Sequence, residues 1–325
     1  MNFNKIAMQG LGAVCLVFFS LGAWSQTAFP SKPLKIVVPF GAGGVADLTA
    51  RTVAQKLGEN LGQSIVIDNK PGAGGVVATD LVAKAAPDGY TLLLMSNGTA
   101  VSTSLFKSLP YDAEKDLVPL SVLGTFDIAI VVNNDSKFAS LADLLSHAKS
   151  NPGKLNIGSI NIGSTQHLAA ELFKSTAGID AQVVPFNGTP ALLNALRGGQ
   201  IDVGVEILAP VLPQIKGQAL RALAVTGDKR AAALPQVPTA KEAGVRNLYA
   251  ASWNALAAPA KTPKEIVQKL NQEIQNALNH PDVRKKLLDM NVEPYPSTLQ
   301  QAADLLSSET KRWGDVIQRA GIQKQ

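Results

Sequence analysis

Short apolar runs separated by glycine-rich turns set the pattern of this chain. Leu34–Val38, Ser64–Asp68 and Thr91–Met95 are rich in Val, Ile and Leu, which is typical of buried strands. Apolar residues at helical spacing follow the first two runs, and the first of these helices is expected to end near Leu57, before Gly58. This β-α-β-α-β order predicts a parallel sheet with helices on both faces.

The same alternation continues along the chain and predicts an α/β protein with two lobes. Segments 123–130 and 251–258 are candidate crossovers, and two crossings form a hinge that can close around a ligand. We therefore assign residues 26–125 plus 253–325 to lobe one and 126–252 to lobe two. Further strands are predicted at Ile128–Val132, Leu155–Ser159, Gln182–Phe186, Ile201–Val205, Leu220–Thr226 and Trp253–Ala257.

The first 25 residues have the features of a secretory signal peptide. Lys5 is followed by an uncharged apolar stretch, and Ala23-Trp24-Ser25 matches the small-x-small pattern of signal peptidase sites. We predict cleavage before Gln26 and a periplasmic mature protein. Cys15 is the only cysteine, so the mature chain can form neither disulfides nor thiolate metal sites.

Charge and histidine content exclude two classes of function. The net charge of +5 falls to +4 when Lys5 is removed, and no cluster of Lys and Arg stands out, so nucleic-acid binding is not expected. Three scattered histidines and no mature cysteine argue against a transition-metal site. No cofactor is predicted.

Glycine-rich turns that lead from a strand into a helix are the most informative motifs. The first runs from Phe40 to Asp47 and the third from Gly158 to His167. Glycines let the backbone approach a ligand closely, and the free N–H groups at a helix start favour an anion. A second turn, Asn69 to Gly75, repeats part of the first and either faces the ligand or only shapes the end of the sheet.

The first turn also fits a dinucleotide-binding motif. Gly41, Gly43 and Ala46 match G-x-G-x-x-A, and Asp68 stands at the end of the next strand, where a ribose-binding acid is expected. An NAD-type oxidoreductase is therefore an alternative function. The signal peptide argues against it, because nicotinamide cofactors are normally cytoplasmic.

A secreted Ser–His hydrolase is a second alternative. His167 lies one helical turn after Ser164, but the chain contains no G-x-S-x-G nucleophile elbow. A structural hydrogen bond is the favoured role for His167. We predict that the protein is not an enzyme.

Two acids stand in a strongly apolar stretch of the predicted second lobe. Asp202 and Glu206 are either caps at strand ends or, for Glu206, a partner for a cationic group on the ligand. Just before them, Phe186-Asn187-Gly188 follows a predicted strand, and Pro190 is well placed to start a helix.

The order of these motifs resembles the Bug family, the extracytoplasmic solute receptors of the tripartite tricarboxylate transporters (TctC-like). The resemblance covers essentially the whole mature chain. It rests on P-S-K-P-L-K-I-V-V-P-F, G-G-x-x-D through Asp47, N-K-P-G-A-G-G, P-D-G-Y-T-L-L, G-S-x-x-x-G-S-x-x-H-L-A from Gly158, G-x-x-P-A-L, G-G-Q-I-D, L-P-x-V-P-T and W-x-x-L-x-A-P-A from Trp253.

The resemblance implies a type II, Venus-flytrap binding protein that holds a carboxylate with backbone amides in the interlobe cleft, for uptake or sensing. Membrane transporter subunits or a sensor are the implied partners, and a monomer is expected. Together with the residues singled out above, the predicted ligand-binding set is Phe40, Gly43, Gly44, Asp47, Gly163, Ser164, Thr165, His167, Phe186, Asn187, Gly188, Asp202 and Glu206.

Two departures from the family pattern bear on the ligand. The family often has a basic residue where this chain has Asn187, so a second carboxylate contact is in doubt there. An acid at Glu206 would repel a di- or tricarboxylate. The expected ligand is therefore a monocarboxylate, an aromatic acid or an amino-acid-like zwitterion.

Overall fold

The computed structural model describes residues 29–319 and 321–324, so the predicted signal peptide lies outside the described residues. Ten strands and ten α-helices make up most of this part of the chain. The strands are β1 Leu34–Val38, β2 Ile65–Asn69, β3 Thr91–Ser96, β4 Leu117–Asn133, β5 Leu155–Ile160, β6 Ala181–Phe186, β7 Val203–Ile207, β8 Leu220–Val225, β9 Ala251–Pro259 and β10 Glu293–Pro294. The helices are α1 Val45–Leu61, α2 Val76–Ala83, α3 Asn97–Leu105, α4 Leu141–Ser150, α5 Thr165–Ala177, α6 Thr189–Arg197, α7 Leu208–Lys216, α8 Lys264–Asn279, α9 Pro281–Asp289 and α10 Leu299–Arg319.

The strands run in the order β2-β1-β3-β9-β4-β7-β5-β6, with β10 and β8 also paired to β4. At one end, β1 is parallel to both β2 and β3. At the other end, β5 is parallel to both β6 and β7. The central strands β4 and β9 run antiparallel to their neighbours. Each half is therefore a mixed sheet that combines a parallel set with antiparallel central strands.

Strand β4 passes through both halves without interruption. Up to Asp127 it pairs with β9, and from Ile128 onward it pairs with β7 and β8. Asp127 lies opposite Ala251, the first residue of β9. The two segments predicted as crossovers thus lie on two adjacent strands where the pairing changes from one half to the other.

Each half has its own apolar core. Helices α1 and α8 cover the first half, with Leu57 and Leu270 fully buried. The core of the second half includes residues of α5 such as Phe173, and it also takes in Trp313 from the end of α10. Trp313 is fully buried, and its Nε1 donates to Glu309 at 2.9 Å. The last helix therefore packs against both halves, with Ala302 and Leu306 in the first and Trp313 in the second.

Helix α1 is longer than expected. It continues through Gly58 and ends at Gly62, which adopts the left-handed conformation with φ 66°. Gly58 is needed inside the helix because a Cβ there would lie 2.9 Å from the carbonyl oxygen of Gln63. Close backbone packing, and not helix termination, explains this glycine. In the described part of the chain, no helix has both the length and the apolarity to span a bilayer.

Candidate functional site

A cleft of about 1220 Å³ lies at the ends of strands from both halves. Its walls are the loops that follow β1 and β5, the starts of α1 and α5, and parts of α6, α7 and β9. Ligands of open α/β sheets commonly bind outside the carboxyl ends of the strands. The predicted residues that line the cleft are Phe40, Gly43, Gly44, Gly163, Ser164, Thr165 and Glu206.

The first glycine turn directs the start of α1 at the cleft. Gly43 has φ 82°, and Gly44 is the N-cap with φ −76° and ψ 166°. No side chain caps this helix, and both Val45 and Ala46 line the cleft. The first-turn N–H groups of a helix have no partner inside the helix. The uncapped start of α1 is therefore suited to an anion in the cleft.

Asp47 stabilises this turn by hydrogen bonding and does not line the cleft. It is 1% exposed and accepts hydrogen bonds from Gly43 N at 2.8 Å, Arg51 Nε at 2.9 Å and Asn69 Nδ2 at 2.9 Å. Burial opposes ionisation, but these donors together hold the pKa of Asp47 below its usual 3.8. The N–H of Gly43 is thus used within the protein. Both residues build the turn, and the N–H of Gly43 is already paired with Asp47.

The third glycine turn has the same backbone form. Gly163 has φ 84°, and the N-cap Ser164 has φ −68° and ψ 158°, close to the angles of Gly43 and Gly44. Ser164 Oγ accepts from His167 N at 3.1 Å and donates to the Ile160 carbonyl at 2.7 Å. The hydroxyl proton of Ser164 is therefore engaged with a backbone carbonyl and not with an imidazole, which is not the pairing that a hydrolase nucleophile requires.

His167 occupies the position in α5 that Asp47 occupies in α1. It is 7% exposed, and its Nδ1 accepts a long hydrogen bond of 3.5 Å from Gly163 N. Burial lowers the pKa of His167, although the nearby Glu171 acts in the opposite direction. A neutral ring with a free Nδ1 lone pair fits this contact. Two turns of matching shape, each stabilised from a helix's third residue, thus present two helix N-termini to one cleft.

Glu206 is a buried ionisable residue in the cleft wall. It is fully buried, and it accepts hydrogen bonds from Gln166 Nε2 at 2.6 Å, Ile207 N at 2.8 Å and Thr189 Oγ1 at 2.8 Å. Burial raises the pKa of Glu206, and the three donors oppose that rise. The carboxyl group therefore joins the starts of α5, α6 and α7 at the cleft.

Besides Asp47 and His167, four further predicted residues are not among those lining the cleft. Phe186, Asn187 and Gly188 stand just outside it, while the next two residues along the chain, Thr189 and Pro190, line it. Asp202 lies at the opposite ends of the strands, just before β7 begins, and its carboxylate accepts from Asn156 N, near the start of β5, at 2.8 Å. Asp202 therefore caps a strand end, which was the simpler of its two sequence interpretations.

Several cleft residues were missed by the sequence analysis. Arg197 lines the rim at the end of α6 and donates to Asn194 Oδ1 at 3.2 Å. Ser252 and Asn254 of β9 line the cleft as well. The alternation of polar and apolar residues in Ser252-Trp253-Asn254 could have signalled one polar face of a strand.

The residue expected to bind ribose in a dinucleotide site, Asp68, lies outside the cleft. Asp68 does not line it and instead forms ion pairs with Lys70 Nζ at 3.3 Å and Lys35 Nζ at 4.0 Å. The described part of the chain holds no cluster of three or more His, Cys, Asp or Glu side chains that could ligate a metal ion.

Gly43 and Gly163 offer a matched test of the two turns. Replacing Gly43 with alanine should cost roughly 1–2 kcal/mol of unfolding free energy, because the residue keeps a positive φ but its Cβ meets no atom within 4 Å. Gly163→Ala should cost more, because its Cβ would lie 2.5 Å from Cδ2 of the buried Leu105. Urea denaturation of both variants checks the order, and equal losses would contradict the packing argument.

Comparisons with known proteins place these features in context. Residues 49–322 match the family described as tripartite tricarboxylate transporter family receptor. Protein BugT of Bordetella pertussis is 36% identical over 299 residues, which cover 91% of this chain and 92% of that protein. The structure of the periplasmic binding protein BugD is 30% identical, with a TM-score of 0.82 over 91% of this chain and 100% of its own. R. palustris Rpa4515 with adipate is 35% identical, with a TM-score of 0.84 over 91% and 100% of the two chains.

Proposed function

This chain belongs to the tripartite tricarboxylate transporter receptor family, and from that premise we propose that it binds a small organic carboxylate in the cleft between its two lobes. The α/β binding-protein fold and the solute-binding class follow from the family and from its solved relatives. The proposal concerns the chemistry of the cleft, the class of ligand and the absence of turnover.

The observation that supports the proposal most strongly is the pair of helix starts. Val45 and Ala46 of α1, and Thr165 and Gln166 of α5, are first-turn residues that line the same cleft. Their N–H groups and the positive ends of two helix dipoles converge on one space, which favours a carboxylate. Backbone amides, with no arginine clamp at the centre, bind the anion in this proposal.

The remaining lining suits an organic body attached to the carboxylate. Phe40 is 39% exposed and Ile162 is 49% exposed, although both are large apolar residues, and both line the cleft. Phe126 and Leu193 add further apolar surface to the walls. Ligand sites are usually apolar with a few placed polar groups, as here.

Glu206 and Arg197 are the charged residues among the cleft-lining residues that the structure describes. An ammonium group of the ligand would stabilise the ionised form of Glu206, whereas a second carboxylate near Glu206 would gain no attraction from it. We therefore propose a monocarboxylate, an aromatic acid or an amino-acid-like zwitterion as ligand. Rpa4515 was solved with adipate, a dicarboxylate, so this narrower class distinguishes the present chain from that relative.

The biological setting follows from the same proposal. Cleavage before Gln26 would release residues 26–325 into the periplasm, with lobe one formed by 26–125 plus 253–325 and lobe two by 126–252. Closure of the lobes about β4 and β9 would cover the ligand. The loaded monomer would then deliver it to membrane transporter subunits or to a sensor.

The test is a binding screen of residues 26–325 by thermal shift and calorimetry, against organic acids, amino acids and NAD. A ligand that binds only the folded state increases the free energy of unfolding, by roughly 2.7 kcal/mol at a hundredfold excess over its Kd, and so raises the melting temperature. We expect binding of a carboxylate that is recovered unchanged. Binding of NAD without any carboxylate, or conversion of the bound acid, would contradict the proposal.

A further inference from the structure

A buried amide at the floor of the cleft lacks a hydrogen-bond partner on one side. Asn254 lines the cleft and is 2% exposed, and its Oδ1 atom has no donor among the described residues. Its Nδ2 donates to the Trp253 carbonyl at 3.0 Å and to the Met95 carbonyl at 3.4 Å. Because two carbonyls fix the amide nitrogen, the oxygen is the atom that still requires a donor.

Asn254 lies close to the proposed carboxylate site. Side chains alternate along a strand, so Ser252 and Asn254 point to the same face of β9, and both line the cleft. Ser252 Oγ is 3.4 Å from Thr165 Oγ1, on the first residue of α5. Two residues along a strand span about 7 Å. A small molecule held at the start of α5 can therefore reach Asn254.

We propose, as an extension of the proposed function, that Asn254 accepts a hydrogen bond from a donor that the ligand carries near its carboxylate. Buried acceptors are normally paired, and leaving one unpaired is unfavourable, so a ligand that supplies the donor gains affinity. The donor is a hydroxyl or an ammonium group. The preferred solutes are thus hydroxy or amino carboxylates, and unsubstituted acids bind more weakly.

Calorimetry on residues 26–325 with two matched series tests this inference on the unaltered protein. The first series is 4-methylpentanoate, 2-hydroxy-4-methylpentanoate and leucine, and the second is succinate, malate and aspartate. Within a series only the substituent at C2 changes. In the series that fits the cleft, we expect a member with a donor to bind roughly tenfold tighter than the unsubstituted acid.

The variant Asn254→Leu removes the acceptor while keeping a side chain of similar size. It should lose the preference for the substituted acid, so that the ratio of the Kd values for the unsubstituted and the substituted acid falls from roughly ten to about one. Asn254→Ala gives the same comparison if the leucine variant does not fold. The ratio of the two Kd values is the readout, because a loss of folded protein lowers both affinities together.

The outcomes separate this inference from the proposed function. Equal binding of substituted and unsubstituted acids by the original protein would overturn the role of Asn254 and leave carboxylate binding intact. A preference that persists in Asn254→Leu would also overturn it, because another group, such as an ordered water, would then supply the contact. If neither these six acids nor any other carboxylate of the binding screen binds, the proposed function itself is overturned.

Discussion

Proline at the first position of α1 or α5 should weaken carboxylate binding by roughly ten- to hundredfold for each substitution, because a hydrogen bond to a charged group contributes about 1.5–3 kcal/mol. Val45→Pro and Thr165→Pro each delete the N–H group of a helix-starting residue that lines the cleft. The helix should survive, since proline is well tolerated at this position. Calorimetric titration with the ligand found in the screen measures the loss.

The local backbone makes these two sites suitable for the test. A residue before proline must be extended, and Gly44 and Ser164 have ψ values of 166° and 158°. Val45→Ala and Thr165→Val are the controls, because they alter the side chain and keep the N–H group. If the proline variants fold and bind as tightly as their controls, the ligand is not held by these amides.

The main features of this site were predictable because glycine has a distinct conformational role. Gly43 and Gly163 both adopt positive φ before a helix, which is the geometry that the strand–glycine–helix pattern predicts. The sequence could not show that Asp47 and His167 each accept a hydrogen bond from the glycine N–H of their turn and do not line the cleft. That distinction depends on which side of a helix start faces the cleft, and a pattern of residue types does not specify it.

Other errors arise from contacts between distant parts of the chain. The sequence analysis predicted only Ile128–Val132 as a strand in this region, whereas β4 runs from Leu117 to Asn133. Its first half is stabilised by pairing with β9, more than 120 residues later, and local patterns carry no signal of that pairing. Asp202 and Glu206 were both candidate strand-end caps in the sequence analysis, but the strand between them places them at opposite ends and only Glu206 at the cleft.

Glu206→Leu should reduce the unfolding free energy by roughly 3 kcal/mol, because it leaves the donors of Gln166, Thr189 and Ile207 without their acceptor. Glu206→Gln should cost much less. Its amide oxygen can accept from Gln166 and Ile207, and its amide nitrogen can donate to Thr189 Oγ1. Urea denaturation near pH 5 compares the two variants, and equal losses would contradict the hydrogen-bonding argument, because glutamine keeps the hydrogen-bonding capacity that leucine lacks.

The pH dependence of unfolding free energy, compared between the original protein and Glu206→Gln, tests the environment of Glu206. Burial raises its pKa in the folded state above the usual 4.5, so the native protein holds this proton at pH values where the unfolded chain has released it. The contribution of Glu206 to stability is therefore greatest below pH 4.5 and falls as the pH rises through the folded-state pKa. Glutamine does not titrate, so the stability of Glu206→Gln relative to the original protein should increase from pH 5 to pH 8. A constant difference over that range would mean that Glu206 is already ionised in the folded protein at pH 5, and it would contradict the effect of burial argued here.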